Sequence, residues 1–509
     1  IMKKQAKVYG ACRRLNVGIV FSCNGHLFVE FDRATGLTSA PRPLSEFPTP
    51  AALRARYETA MGFSLDAPLA LPLLTRYAGG EEGARRYYQD AALRAVLEKL
   101  ALGEKRALLS LATGAGKTRI AVNLLKRIAD AGLLRRALFV CDRDELRTQG
   151  LGAFQNVFGA DAAPVSGGKP QKNARILIAT YQTLDVATDE ATASFLTTHY
   201  PENYFSHIVI DECHRSAWGK WSQVLTRNRS AVQIGLTATP RQLVESLKRQ
   251  TEESETDSLE ELPLAAETEA IIRPLRPIDP RAPYGVTREV WADAEITANN
   301  LAYFDEPTYE YDIAQAIEDG YLAACEIQKG RVNLDDTGIT KEEIIARNPV
   351  DAITGQPITA EQIEDLYQRT QYEDRILLPD RVLAMCADLF NYLRDTGDPA
   401  QKTIIFCARD RHADDVAVCL NNLYAKWCAD NGKQRLEYYA FKCTAASSGN
   451  DQLPDLRASS RSHFIATTVD LLTTGVDVPC VRNIVFFKYL KSPISFYQMV
   501  GRGTRIAAP

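Results

Sequence analysis

Between residues 84 and 237, five short apolar runs are separated by longer stretches of helical periodicity: ALLSLA (107–112), ALFVC (137–141), RILIA (175–179), HIVID (207–211) and AVQIGLT (231–237). A strand with one wet face alternates polar and apolar residues. These runs are apolar on both faces, which predicts a parallel sheet with helices on both sides. A second set, TIIFC (403–407), EYYAFKC (437–443), HFIATT (463–468) and NIVFF (483–487), predicts a second α/β domain. Ahead of both, VGIVFS (17–22) and HLFVEF (26–31) flank Cys23-Asn24-Gly25, and Asn-Gly between β-prone runs is a strong hairpin signal.

The expected organisation is a small β-containing unit at 1–55, a linker at 56–83, α/β domains at 84–246 and 376–509, and a connection at 247–375. The chain's 509 residues suit several domains of about 150 residues each. The connection opens with an acidic stretch from Gln250 to Leu262 and is Pro-rich over 271–284, so it reads as an insertion. No apolar stretch of about 18 residues is present for a membrane span, and no secretory leader follows Ile1-Met2-Lys3-Lys4. Eleven cysteines without a CxxC pair predict free thiols in a reducing cytoplasm and no zinc site. A net charge of −4 does not advertise a nucleic-acid partner, so any such partner must be found by motif.

The sharpest motif is Ala112-Thr-Gly-Ala-Gly-Lys-Thr118, between a strand-like run and a helical pattern. Thr113, Gly114, Ala115 and Gly116 let backbone amides wrap phosphates, Lys117 brings positive charge to the β- and γ-phosphates, and the Thr118 hydroxyl can ligate Mg²⁺. Leu111 stands where the strict pattern has its first glycine, so the match is to GxGKT. Downstream, Asp211-Glu212-Cys213-His214 follows a buried run. Asp211 there can hold the Mg²⁺ bound by Thr118, and Glu212 can position and deprotonate the attacking water. ATP and Mg²⁺ are the implied cofactors.

DECH, then Gly235-Leu-Thr-Ala-Thr-Pro240, then Gln498-Met-Val-Gly-Arg-Gly-Thr-Arg505 resemble, in order, the motifs of superfamily 2 helicases and translocases. The resemblance implies two tandem RecA-like parallel-sheet domains, with Thr237, Thr239 and Gln498 coupling nucleotide to nucleic acid. It implies that Arg502 and Arg505 reach the γ-phosphate as arginine fingers do. The segment Leu471 to Pro479, with Asp477, resembles the motif before the last and is expected at the nucleotide.

Within that superfamily the chain resembles the motor (restriction) subunit of type I restriction-modification enzymes. Arg86-Tyr-Tyr-Gln89 is similar to the adenine-reading segment, with Gln89 suited to the adenine edge. Cys141-Asp-Arg-Asp-Glu-Leu146, Ala179-Thr-Tyr-Gln-Thr-Leu184 and the Tyr-rich segment from Tyr303 to Tyr311 are also similar, the last being the most family-specific. The resemblance implies that Asp142, Arg143 and Thr180 touch the DNA backbone and that the Tyr-rich segment links the motor domains. Gln5-Ala-Lys-Val-Tyr9 resembles the QxxxY element of the family's nuclease, so 1–55 is expected to be the remnant of a nuclease-like α/β domain, with Gln5 and Tyr9 near DNA. The chain departs from the family here. No ExK lies within residues 1–60, and cleavage is not expected from this stretch alone. The family implies double-stranded DNA, a methyltransferase and a specificity subunit as partners, and no membrane. Two rivals stay open: another superfamily 2 DExH helicase acting on RNA or on DNA repair substrates, and a non-hydrolysing nucleic-acid scaffold.

Overall fold

The computed structural model describes residues 15, 17–33, 35–77, 86–141, 144–165, 170–184, 195–213, 223–238, 301–330, 339–359, 363, 366–367, 376–444, 449–458, 462–470, 472, 478, 480–490 and 492–504. They form two compact units. The first takes the described residues up to Ala238 together with 301–315, and the second takes those from Ala316 onward.

The first unit opens with strands β1 (Ile19–Cys23) and β2 (Leu27–Asp32), antiparallel with Cys23 opposite Phe28, followed by the short β3 (Arg42–Pro43) on the far edge of β2. The expected hairpin is present. Gly25 takes φ +90°, and Asn24 Oδ1 accepts from the amides of His26 (3.0 Å) and Leu27 (2.8 Å), which closes the turn. Helix α1 (Pro50–Met61) is capped by the Thr49 hydroxyl and stops at Gly62, φ +76°. Glu30, 8% exposed, takes Arg42 on one carboxylate oxygen (2.8 Å) and Arg56 of α1 on the other (2.6 Å), so the helix and sheet share a buried charge.

Next come α2 (Tyr87–Ala101), β4 (Arg106–Leu111), α3 (Lys117–Asp130), β5 (Ala137–Cys141), α4 (Asp144–Phe158), β6 (Ala162–Pro164), β7 (Ile176–Thr180), β8 (His207–Ile210), β9 (Val232–Thr237) and β10 (Tyr309–Tyr311). The seven strands form one sheet in the order β10-β4-β9-β8-β5-β7-β6, and every neighbouring pair is parallel. Four of the five predicted runs become strands buried at nearly every position, and Val232 of the fifth is only partly covered. Loops carrying ATGAGKT, Thr180, DEC and Thr237 all leave the carboxyl ends of these strands, where ligands bind in open parallel sheets.

The expected boundary at 246 leaves out the seventh strand. Residues 309–311, assigned from sequence to the connection, pair with β4 from Tyr309 opposite Leu109 to Tyr311 opposite Leu111. Three residues are too few for a period to register. Tyr303 and Phe304 also belong here: Arg106 lies over the Tyr303 ring at 4.2 Å, the Tyr303 hydroxyl bonds Gln233, and Phe304 is fully buried beside Leu108 and Cys213.

The second unit is built on β11 (Thr403–Cys407), β12 (Ala440–Lys442), β13 (Ile465–Thr468) and β14 (Asn483–Phe487), all parallel in the order β12-β13-β11-β14. Helices α5 (Pro379–Asp395) and α6 (Asp410–Asp430) cover one face through Leu389, Leu393, Val416 and Leu420. Leu472, Val478 and Met499, the last from helix α7 (Pro493–Val500), cover the other. This unit starts well before the expected 376, because Val350–Asp351 pairs with Ile376–Leu377. Gln5, Tyr9, Asp142, Arg143, Thr239, Asp477 and Arg505 lie outside the described residues.

Candidate nucleotide site

The loop from Ala112 to Gly116 turns because Gly114 and Gly116 take φ +88° and +83°, a region L side chains rarely enter. Gly116 is held twice over, since a Cβ there would lie 2.8 Å from Gln89 Nε2. Helix α3 begins at Lys117, so its unpaired amides and positive dipole end face whatever the loop encloses. Thr113 Oγ1 is buried and meets no protein partner among the described residues, and Thr118 is half-buried as the second residue of the helix.

Across from the loop, Asp211 and Glu212 follow β8 and are 5% and 8% exposed. Glu212 adopts φ +52°, a left-handed backbone that costs a non-glycine residue about 1–2 kcal/mol and is held here by its amide donating to Asp211 Oδ1 at 3.1 Å. Its Oε1 lies 3.1 Å from Lys117 Nζ, which also donates to Leu111 O at 3.5 Å. The two residues are thus a buried ion pair, 9% and 11% exposed at their side chains. Burial pushes the neighbouring Cys213 thiol up, with Glu212 and Asp211 adding to the effect, so Cys213 is a neutral packing group. It wedges against Gly235, where a Cβ would meet Leu108 Cδ1 at 3.0 Å and both Cys213 Sγ and Phe304 Cε2 at 3.1 Å.

This donor set fits a magnesium–nucleotide complex. An ammonium, a helix start and a hydroxyl without a protein partner suit phosphate oxygens, while Asp211 with the Thr118 hydroxyl offers the few hard oxygen ligands Mg²⁺ accepts beside phosphate and water. Gln89 is 2% exposed, and its Nε2 donates to Ala115 O at 3.1 Å, so its amide nitrogen holds the loop backbone instead of projecting toward a base. Tyr88, missed in the sequence, donates to the same carbonyl at 2.7 Å. Tyr77 was also missed; its hydroxyl takes Arg119 Nε at 3.0 Å and stands 3.5 Å from Gln89 Oε1. The tyrosine doublet directly before Gln89 was the available signal for Tyr88.

Thr180 is 2% exposed, and its Oγ1 accepts from the Thr183 amide (3.2 Å) and bonds the Thr183 hydroxyl (2.8 Å), a local cap that keeps it from the surface. Thr237 ends β9 at 4% exposure. In the second unit, Gln498 and Arg502 are 1% and 8% exposed, and the turn between them and Thr504 is fixed by Gly503, where a Cβ would meet Ile484 at 2.8 Å.

Residues 82–242 match the family of type III restriction enzyme res subunits, and residues 384–507 match the helicase conserved C-terminal domain. The type I restriction enzyme EcoAI endonuclease subunit of Escherichia coli is 29% identical over 505 residues, an alignment covering 97% of this chain and 53% of that protein. The chain is a homologue of type I restriction endonuclease subunits. The EcoKI endonuclease subunit of E. coli strain K12 is 28% identical over 445 residues, covering 84% of the homologue described here and 34% of its own length. A solved fragment assigned as an HsdR subunit of a type I restriction enzyme from Vibrio vulnificus YJ016 superimposes with a TM-score of 0.67 at 26% identity, covering 99% of this chain and 75% of that one. The homologue therefore carries two helicase-type RecA-like domains, and it spans about half the length of the EcoAI subunit. Among its described residues no helix is long and apolar enough to cross a membrane, and no cluster of three or more His, Cys, Asp or Glu could hold a metal alone.

Proposed function

We propose that the chain is the ATP-driven motor of a type I restriction enzyme's endonuclease subunit, a cytoplasmic protein that translocates double-stranded DNA and works with methyltransferase and specificity subunits. The observation that carries this reading is the 3.1 Å contact between Lys117 of the phosphate loop and Glu212 of the strand end beside it. Lys117 would bind the β- and γ-phosphates, with Thr118 and Asp211 holding Mg²⁺, which when bound neutralises developing charge on the phosphates. As phosphate draws the ammonium, Glu212 loses its counter-ion and becomes available to a water in line with the γ-phosphorus, whose proton it accepts. Gln89 and Tyr88 would hold the loop that presents the amides. Arg502 and Arg505 are assigned to the transferring phosphoryl group by their motif, Thr237, Thr239 and Gln498 to coupling, and Asp477 to the nucleotide. Asp142, Arg143, Thr180, Gln5 and Tyr9 are assigned to DNA; the buried, locally bonded Thr180 fits that role only if its hydroxyl is released.

The test is phosphate release by the full chain with duplex DNA, single-stranded DNA or RNA, together with displacement of a triplex-forming strand from a linear duplex. Stimulation by duplex DNA and triplex displacement are expected. Stimulation by RNA or single strands alone would move the chain to another branch of the superfamily, and no hydrolysis with any of them would leave a binding scaffold.

A further inference from the structure

Tyr88 and Tyr311 are both fully buried, and their rings stack with centroids 4.0 Å apart and planes within 10°. Neither acts only as core filling. Tyr88 spends its hydroxyl on Ala115 O at 2.7 Å and is itself steadied by Arg86 Nη1, which donates to the Tyr88 hydroxyl oxygen at 3.1 Å. Tyr311 offers its backbone carbonyl to the Ala112 amide at 2.8 Å. The two tyrosines therefore grip the phosphate loop at its entrance and at its crown. A trans peptide points C=O and N–H in opposite directions, so drawing the Ala115 carbonyl onto α2 turns the Gly116 amide away from α2. That is an arrangement in which loop amides are set before an anion arrives.

The strand that carries Tyr311 has only three residues, all on the edge of the sheet, and a strand so short contributes few ladder bonds. The ring stack on Tyr88, with Tyr87 edge-on at 6.3 Å, adds to its anchorage. Within a few residues the chain passes into the second unit, which begins at Ala316. We propose that the Tyr88–Tyr311 stack is a positioning device that makes the nucleotide affinity of the phosphate loop depend on the docking of strand β10. Tyr88 and Tyr311 are positioning residues, acting through Ala112 and Ala115. The proposal rests on the nucleotide-site reading above and adds to it a tether between the loop and the chain segment leaving the first unit.

The experiment measures Mg–ATP binding by calorimetry and steady-state hydrolysis on duplex DNA, using the full chain and the variants Tyr88→Phe, Tyr311→Phe, Tyr311→Leu and the double variant Tyr88→Phe/Tyr311→Leu. Removing one hydrogen bond that orders a loop is worth roughly fivefold in affinity. Tyr88→Phe and Tyr311→Leu should each weaken ATP binding by about five- to tenfold with kcat at saturating ATP within about twofold. Tyr311→Phe, which keeps ring and carbonyl, should bind as the parent does, and the double variant should be little worse than either single one because both act through one path. Parental affinity in Tyr88→Phe, equal losses in Tyr311→Phe and Tyr311→Leu, or full additivity would overturn the proposal. Should Tyr311→Leu fail to fold, Tyr311→Met, which fills the space without a ring to stack, takes its place beside Tyr88→Phe. A parent chain that binds no ATP would overturn the nucleotide-site reading itself, an outcome distinct from variants that bind as well as their parent.

Discussion

Lys117 Nζ stands 3.1 Å from Glu212 Oε1, so the residue that would bind phosphate and the residue that would activate water are each other's counter-ion. Glu212→Gln removes the charge that competes with phosphate for Lys117. It should bind ATP at least as tightly as the parent while losing DNA-stimulated hydrolysis. Lys117→Ala leaves Glu212 a buried charge without its ammonium and removes the phosphate contact, so it should lose binding and hydrolysis together, with a lowered melting temperature. Equal loss of ATP affinity in both variants, measured by equilibrium titration, would contradict this division of roles.

Gly116→Ala should be severe for a methyl group. The residue sits at φ +83°, and the new Cβ would stand 2.8 Å from Gln89 Nε2. A left-handed conformation costs alanine about 1–2 kcal/mol, and displacing Gln89 adds the loss of its bond to Ala115 O. ATP affinity should fall at least tenfold. Adding Gln89→Ala should relieve the clash but not the backbone strain, so recovery should be partial by the same titration.

Gly235→Ala tests packing next to the DEC segment. Three contacts at 3.0–3.1 Å surround the absent Cβ, none of them with backbone, so neighbouring side chains must move. Overpacking of this kind typically costs about 1–3 kcal/mol. The first unit's thermal transition should drop by several degrees, while Gly150→Ala, whose nearest contact is 3.4 Å from Phe139, serves as a milder control.

Arg502→Ala should lower DNA-stimulated turnover by on the order of 10³-fold, the usual loss when an arginine contact to a transferring phosphoryl group is removed. Wild-type turnover in that variant, by phosphate-release assay, would withdraw the role its motif implies.

Acid sensitivity should follow the buried imidazoles. Burial lowers His207 to about 4 and His412, with Arg381 adding repulsion, to about 3. Both stay neutral in the fold, whereas in the unfolded chain they titrate near 6.5. Between pH 6.5 and those depressed values the unfolded state binds more protons, so stability is fully present above 6.5 and falls as pH is lowered. For His207 the loss should reach about 3 kcal/mol by pH 4. Urea titrations across that range should show it, and His207→Asn should flatten the slope for the first unit.

Much of this was legible in the sequence. Parallel strands buried on both faces write themselves as unbroken apolar runs, so ALFVC and TIIFC become strands at the predicted residues, as does the partly covered NIVFF, and GKT at a helix start has few other uses. Strands 162–164 and 309–311 were invisible because three residues carry no period, and the second reaches its partner from far along the chain. The Lys117–Glu212 pair was implied by motif order, but the engagement of Gln89 and Tyr88 with Ala115 was not, since a side chain bonded to a loop carbonyl leaves no spacing rule behind.

The edge strand at 309–311 also sets a timetable. Thr308 meets Leu108 across 200 positions, so during synthesis β4 and its phosphate loop must wait, one flank bare, until the ribosome has delivered nearly two hundred further residues. An exposed parallel edge beside a glycine loop invites pairing with another nascent chain. A chain stopped at 246 would retain that hazard permanently. One carried through Gln315 would close it, which makes the tyrosine-rich segment the last piece of the first unit to arrive and the one that ends its vulnerability.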